Sequence, residues 1–340
     1  MAAKHSMGLL LAVLACACAL TAFAGRDLAD HQSMVARHEE WMTKYGRVYK
    51  DDAEKARRLE VFKANVAFIE SVNAKNHKFW LEANQFADLT DDEFRATRTG
   101  FKPTNKVRTT GFRYANVSLD DIPTSLDWRA RGAVTPIKDQ GDCGCCWAFS
   151  TVASMEGIVK LSTGKLVSLS EQELVDCDVN GMDQGCDGGE MDDAFEFIIN
   201  NGGLTTESNY PYKASDGTCN ANKESNDAAS IKGYEDVPAN DEASLLKAVA
   251  GQPVSVAVDG GDSHFRFYKG GVLTGACGTE LDHGIAAVGY GMASDGTKYW
   301  LMKNSWGTAW GESGYIRLER DIADEGGMCG LAMQPSYPTA

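Results

Sequence analysis

Ten cysteines are spread very unevenly along this chain of 340 residues: Cys16 and Cys18 come early, none falls between residues 25 and 142, and eight lie beyond. The eight are Cys143, Cys145, Cys146, Cys177, Cys186, Cys219, Cys277 and Cys329. Their use depends on the compartment, and the N-terminus bears on that. Lys4 and His5 give a weakly basic start, an apolar stretch runs from Leu9 to Leu20, and Ala22-Phe23-Ala24 offers the small-x-small pattern of a signal peptidase site. A stretch of about 12 residues is too short for a bilayer, which needs roughly 20. Residues 1–24 therefore read as a signal peptide, with an uncleaved anchor or a buried N-terminal helix as the alternative. In an oxidising compartment most of the eight later cysteines should pair. The chain divides into a cysteine-free segment and a stapled one.

Charge divides it at the same place. The whole chain carries 33 Lys and Arg against 48 Asp and Glu, a net of −15, which argues against a nucleic-acid backbone or an anionic membrane as main partner. From Gly25 to Asp121 there are 17 cations and 16 anions, whereas from Ile122 onward there are 15 and 32. The junction, Gly100–Asp121, holds Pro103 and Gly111 and few large apolar residues, with Arg108 and Arg113 open to proteases. It reads as a linker. Asn116-Val117-Ser118 is a glycosylation sequon in that stretch.

The first segment has helical periodicity. His38, Trp41, Met42 and Tyr45 share a face, and a second helix over 54–76 places Glu54, Arg58, Val61, Phe62, Asn65, Ile69 and Asn73 on one stripe. A plain amphipathic helix would need no Glu, Arg and paired Asn there. Downstream stands Asn84-x-Phe86-x-Asp88.

The stapled segment carries the chemistry. Gln140–Ser150 is a glycine-containing loop that runs into an apolar helical pattern, continued by Val152, Met155, Ile158 and Val159. A cysteine at a helix N-terminus meets the positive end of the helix dipole, which favours the nucleophilic thiolate. Cys146 is thus a candidate nucleophile. Purely structural cysteines, a redox Cys143-x-x-Cys146 pair and a zinc site are the competing readings. The redox pair wants a short chain with the motif directly after a strand, and zinc wants a second ligand pair at suitable spacing. A nucleophile needs a base and a group that orients it. Beyond residue 122 the histidines are His264, with polar neighbours suited to a surface, and His283, at the mouth of the strand-like run 283–290. A hairpin to Tyr299–Lys303 would bring Asn304 beside His283, leaving the other ring nitrogen for a thiol.

The helical stripe, the Asn84 motif and the order Cys146…His283…Asn304 together resemble the papain family of cysteine endopeptidases, within it those associated with plant senescence. The stripe matches that family's Glu-Arg-Phe-Asn-Ile-Asn propeptide signature, and residues from Ile122 onward resemble the enzyme itself. In the second propeptide motif Glu82 stands where the family usually has Gly, so a different turn is expected there. The resemblance implies an α+β, two-lobed fold, a helical lobe and a β-barrel-like lobe with the cleft between, preceded by an inhibitory propeptide over 25–121. Ser170-x-x-Glu173 reads as a capping box, Asp192–Asn201 as a helix stopped by Gly202-Gly203, and the region beyond Gly233 as strands.

By the same resemblance Cys146 is the nucleophile, His283 the base, Asn304 its orienting partner and Trp306 a shield over their bond. The Gln140 amide and the Cys146 N–H form the oxyanion hole. Gly188 and Gly189 pair with substrate backbone, and Met191, Ala257, Leu281, Asp282, Gly284 and Gln334 line the pocket for the residue two before the cut. The implied disulfides are Cys143–Cys186, Cys177–Cys219 and Cys277–Cys329, which leaves Cys145 free. No cofactor or metal is implied. Expected partners are protein and peptide substrates, the chain's own propeptide as inhibitor and cystatin-type inhibitors, for a monomer in a vacuole, a lysosome-like compartment or outside the cell. A catalytically dead relative and a free inhibitor are the rival functions. The charge split predicts acid-triggered self-activation, with the first cut in the linker.

Overall fold

The structure, a computed structural model, describes residues 31–104, 111–275 and 277–340. The signal-peptide reading and Arg108 lie outside the described residues. Two compact units are distinguished, one ending at Phe68 and one running from Ile69 to Ala340.

In the first unit, helix α1 (31–45) is followed by most of α2 (Asp52–Asn73). Trp41 meets Phe62 ring to ring at 5.3 Å, and His38 stacks on Trp41 at 5.8 Å. The polar members of the stripe have separate tasks. Glu54 binds Arg57 at 2.9 Å and Arg58 at 2.7 Å, and these hydrogen bonds pull its carboxyl down to about 2. Asn73, in the second unit, ends the helix by acting as a strand partner: its amide and carbonyl both meet the Leu81 main chain at 2.9 Å.

The second unit opens with β1 (Phe79–Leu81) and α3 (Asp91–Arg98). A full capping box, Thr90 with Glu93, starts α3, and its acids fill the first turn and its arginines the last, as the helix dipole favours. Then come β2 (Leu126–Asp127), α4 (Cys146–Thr163), α5 (Glu171–Cys177), α6 (Met191–Asn201) and α7 (Ala221–Glu224). From there strands dominate: β3 (Gly233–Asp236), α8 (Glu242–Gly251), β4 (Val254–Val258), α9 (Ser263–Arg266), β5 (Tyr268–Leu273), β6 (His283–Met292), β7 (Lys298–Lys303), β8 (Tyr315–Glu319) and β9 (Ser336–Thr339). The helical stretch α4–α7 precedes the strand-rich stretch beyond Gly233, as the sequence predicts, with α8 and α9 set among those strands.

The strands lie in the order β1-β5-β8-β7-β6-β4-β9-β3, with β2 paired to β6. β1, from the cysteine-free segment, adds itself to β5, and Gly271 permits this because a Cβ there would stand 2.2 Å from the Lys78 carbonyl oxygen. Gly202, with φ of 96°, stops α6. Ser170 caps α5 by accepting from Glu173 N at 3.0 Å, but the box stays half open. Glu173 turns instead to Thr205 N at 2.8 Å and Asn201 at 3.1 Å. The disulfides are Cys143–Cys186, Cys177–Cys219 and Cys277–Cys329, closing loops of 43, 42 and 52 residues. By loop-closure entropy each is worth about 4 kcal/mol. Among the described residues Cys145 and Cys146 remain free.

Candidate active site

Cys146 is the first residue of α4, a helix with no acid in its first turn and no side-chain cap at Cys145. The loop before it is held by the Cys143–Cys186 bond and by Gly144 N donating to Cys186 O at 3.0 Å. His283 opens β6 and Asn304 directly follows β7, whose antiparallel register sets Ala286 opposite Lys303. The Asn304 Oδ1 lies 2.8 Å from His283 Nε2 and accepts from Ser305 N at 2.7 Å. A carbonyl oxygen only accepts, so Nε2 carries the proton and Nδ1 is the basic nitrogen. Among the described residues Nδ1 has no hydrogen-bond partner. Trp306 stacks on the imidazole at 4.5 Å and 27°, keeping water from the His283–Asn304 bond. His264 stays apart from the site, its Nδ1 3.0 Å from Asp262.

Cys146 and His283 are both fully buried. Burial pushes the Cys146 thiol up to about 12, against the smaller pull of the Gly284 N–H, and the His283 imidazole down to about 4. Both shifts favour the uncharged pair, and the cysteine-free segment lies over it. Gly100 N and Phe101 N both donate to Asp282 O at 2.8 Å, Lys102 N donates to Gly189 O at 2.9 Å, and Gly189 N donates to Gly100 O at 2.9 Å. The bridge between Phe101 and Gly189 is parallel. Backbone meets backbone so closely that a Cβ on Gly100 would stand 1.9 Å from the Gly144 oxygen. The Arg98 carbonyl accepts from Gln140 Nε2 and from Trp306 Nε1, each at 3.2 Å. Gln140 is held by Ser305, whose hydroxyl donates to Oε1 at 2.7 Å.

Four of the residues expected to line a side-chain pocket are brought together. Met191, Ala257 and Leu281 share one buried apolar cluster with Phe101. At Gly284 a Cβ would stand 3.2 Å from Met191 Sδ. Gln334 donates from Nε2 to Thr104 O at 3.1 Å. Asp282 Oδ1 accepts from Gly260 N and Gly261 N at 2.8 and 3.1 Å, while Oδ2 pairs with Arg95. Burial pushes Asp282 up to about 6, with Arg95 opposing. Gly188, with φ of 102°, passes so near Gly100 that only a glycine fits.

The junction differs from the expected bare linker. Its first residues lie against Asp282 and Gly189, and Arg113, though exposed, pairs with Glu235 at 3.1 Å. Asn116 is exposed in a turn.

Several contributors carry no motif. Arg266, wholly buried, donates from Nη2 to the Phe86 and Leu89 carbonyls at 2.6 Å each and from Nη1 to Asp91 at 3.0 Å. With Phe86 and Phe94 edge-on to Trp306 at 5.5 and 5.2 Å, it seats the Asn84 motif. Glu82 is tolerated where Gly was expected because its backbone is not left-handed and its carboxylate meets Lys269 at 3.0 Å. Cys145 has a partner too. Tyr212 donates its proton to Gln140 O at 2.6 Å, so the Cys145 thiol, 2.9 Å away, donates to Tyr212. Below the site Lys138 binds Glu171 at 2.6 Å and Glu156 at 3.1 Å, and Lys303 meets Thr135 at 2.8 Å, tying α4 and α5 to the strand that delivers Asn304. A Glu at position 156 inside an apolar helical run was the available signal for this cluster.

Known proteins place this arrangement in context. The description "Papain family cysteine protease" matches residues 122–339, and "Cathepsin propeptide inhibitor domain (I29)" matches residues 38–94. The chain is 72% identical over 335 residues to the senescence-specific cysteine protease SAG39 of Oryza sativa subsp. indica, covering 98% of each. It resembles the recombinant stem bromelain precursor at a TM-score of 0.82 and 47% identity, over 90% of this chain and 99% of that one. It also resembles the bromelain protease of Ananas comosus in complex with the E64 inhibitor, at a TM-score of 0.61 and 50% identity, over 64% of this chain and 99% of the other. The chain belongs to the papain family of cysteine proteases and carries that family's propeptide inhibitor domain ahead of the enzyme.

Proposed function

We propose that this chain is the zymogen of an endopeptidase in which 1–24 is a signal peptide, 25–121 the inhibitory propeptide and 122–340 the enzyme. The observation that carries the reading is the His283–Asn304 pair, with Nδ1 left as the basic nitrogen under Trp306. With the propeptide gone, the Cys146 proton passes to Nδ1 and the thiolate attacks the scissile carbonyl carbon. Gln140 Nε2 and the Cys146 N–H take the developing negative charge. His283 then protonates the leaving amine, an acyl-thioester remains, and water activated by the same ring releases the acid. Asp282 O and Gly189 would receive substrate backbone, since they already hold Gly100–Lys102.

Phe101 supports an apolar preference two residues before the cut, because it already packs with Met191, Ala257 and Leu281. Gln334 gives no charge partner to Arg. One methylene in such a pocket is worth roughly 1–3 kcal/mol, so preference among Leu, Val and Phe should be broad. A peptide library that selects Arg or Asp there contradicts the pocket.

An acidic secretory compartment, vacuolar, lysosome-like or extracellular, suits the signal and the acid-release reading, but the carboxylates do not act in one direction. Burial raises Glu235, yet its hydrogen bonds from Tyr337 and Arg113 outweigh that and hold it low. Its contribution to propeptide binding is present above its ordinary value and is lost as pH falls through the lowered one. Asp282, raised to about 6, acts oppositely, favouring the covered state below its ordinary value of 3.8 and losing that contribution as pH rises through 6. Incubating the precursor between pH 4 and 7 beside its Cys146→Ser variant tests the function. Acid-favoured processing and thiol-dependent peptidase activity are expected from the first and neither from the second. Equal processing in the variant contradicts self-cleavage.

A further inference from the structure

Residues 112–115 sit in a groove outside the catalytic cleft. Tyr114 packs on Tyr337 at 5.3 Å and donates from its hydroxyl to Gln252 Oε1 at 2.9 Å. Gln252 is itself fully buried and fixed by Nε2 donating to Pro338 O at 2.8 Å. Phe112 meets the Tyr337 ring edge-on at 6.4 Å and the Tyr114 ring at 6.1 Å. Arg113 binds Glu235 twice, through its main-chain N at 2.8 Å and Nε at 3.1 Å. Glu235 is steadied by the Tyr337 hydroxyl at 2.6 Å. Lys247 donates to the Ala115 carbonyl at 3.2 Å. Gly251, the last residue of α8, makes the room: a Cβ there would stand 2.5 Å from the Tyr114 ring.

The groove reads an aromatic, a cation and a second aromatic in succession, with one charge pair, one buried acceptor and one glycine-sized recess. Nothing in it belongs to the catalytic machinery. We propose that this groove is a second peptide-binding site of the enzyme, specific for the Phe112-Arg113-Tyr114 type of sequence, which keeps the segment from 112 to 121 bound after the chain is cut upstream. The first cut then falls ahead of Gly111, since a protease must lift residues 112–115 out before it can cut among them. The inference does not depend on the chemistry at Cys146.

Gly251→Ala tests it cleanly, because alanine suits a helix end and adds only the atom that meets the ring. In the uncuttable Cys146→Ser precursor, trypsin should cleave after Arg113 at least tenfold faster when Gly251→Ala is also present. An unchanged rate overturns the proposal. A fluorescent peptide covering Gly111–Ser118 should bind saturably to enzyme matured from the full chain, trimmed to begin at Ile122 so that the groove has lost its own segment, and alkylated at Cys146. Anisotropy should show the same affinity when Cys146 instead carries a covalent peptidyl inhibitor that fills the cleft. It should weaken at least tenfold for Gly251→Ala enzyme, with activity on a short peptide unchanged, and likewise for a peptide carrying Tyr114→Ala. Failure to bind the unaltered enzyme, or binding lost when the cleft is filled, also overturns it.

Discussion

Residues 84–94 and residues 98–104 touch the enzyme within a few turns of chain, yet they use opposite means. The first stretch is held by side chains: Phe86 and Phe94 edge-on to Trp306, and buried Arg266 collecting two carbonyls and Asp91. The second is held by main chain, with Gly100, Phe101 and Lys102 donating to Asp282 and Gly189 and only Phe101 filling a pocket. Burying a phenylalanine is worth roughly 1.5–3 kcal/mol, whereas a main-chain hydrogen bond nets about 0.5–1.5 kcal/mol. Affinity therefore resides mainly in the docking stretch and silencing in the crossing stretch. The division makes sense of the parallel bridge at Gly189. A segment anchored elsewhere need not bind the cleft strongly.

The largest effect tests whether the covered site is complete. After maturation by added protease, Cys146→Ser should lose peptidase activity by roughly 10³-fold or more, as removal of a nucleophile does. Cys145→Ser should stay within about threefold, since a hydroxyl can donate to Tyr212 in the thiol's place. A dead Cys145 variant would reverse the assignment. Next comes the docking stretch itself. Phe86→Ala should weaken propeptide binding by about 3–5 kcal/mol, as large-to-small changes at buried phenylalanines do. Uncut precursor should then hydrolyse a small fluorogenic peptide at neutral pH, with the propeptide lost on gel filtration once nicked.

Gly100→Ala probes the other side of the comparison. Its Cβ cannot coexist with the Gly144 oxygen, so the crossing strand must lift and the uncut precursor gain activity while the docking stretch stays bound. A Gly100→Ala precursor as silent as the parent would show that silencing does not rest on that crossing. The smallest effect concerns pH. Asp282 opposes acid release, so the Asp282→Asn precursor should mature with a steeper acid dependence between pH 4 and 6, by a factor of a few. A flatter profile would put the sign of that contribution in error.

The same contrast explains what could be read before any coordinates. Cys146, His283 and Asn304 announce themselves because a helix start, a strand mouth and a strand end are local patterns. The strand β7 follows from its aromatic and apolar run, read as Tyr299–Lys303, within a residue of its bounds. Disulfide partners were not derivable from spacing and came through family likeness alone. Arg266 was invisible because its acceptors lie some 175–180 positions upstream, and no periodicity reports a pairing at that range. The docking of Arg113 on Glu235 escaped for the same reason, and polar, glycine-containing composition made a seated segment look like a loose one. Lys138, Glu171 and Lys303 were hidden by being charged, since charge in a sequence ordinarily signals surface, and Glu156 alone gave a signal by interrupting an apolar helical run. Tyr212 gave Cys145 its role only through proximity in space.

The absence of cysteine between residues 25 and 142 has a kinetic consequence once the chain is cut. All three disulfides lie within 143–329, so none ties the propeptide to the enzyme. Before the cut the inhibitor acts at the effective concentration of a tethered ligand, of millimolar order for a short flexible connection. After it, the same contacts obey mass action, and occupancy depends on how many molecules share a volume. A crowded compartment would hold nicked enzyme silent, and release into a larger space would switch it on by dilution alone.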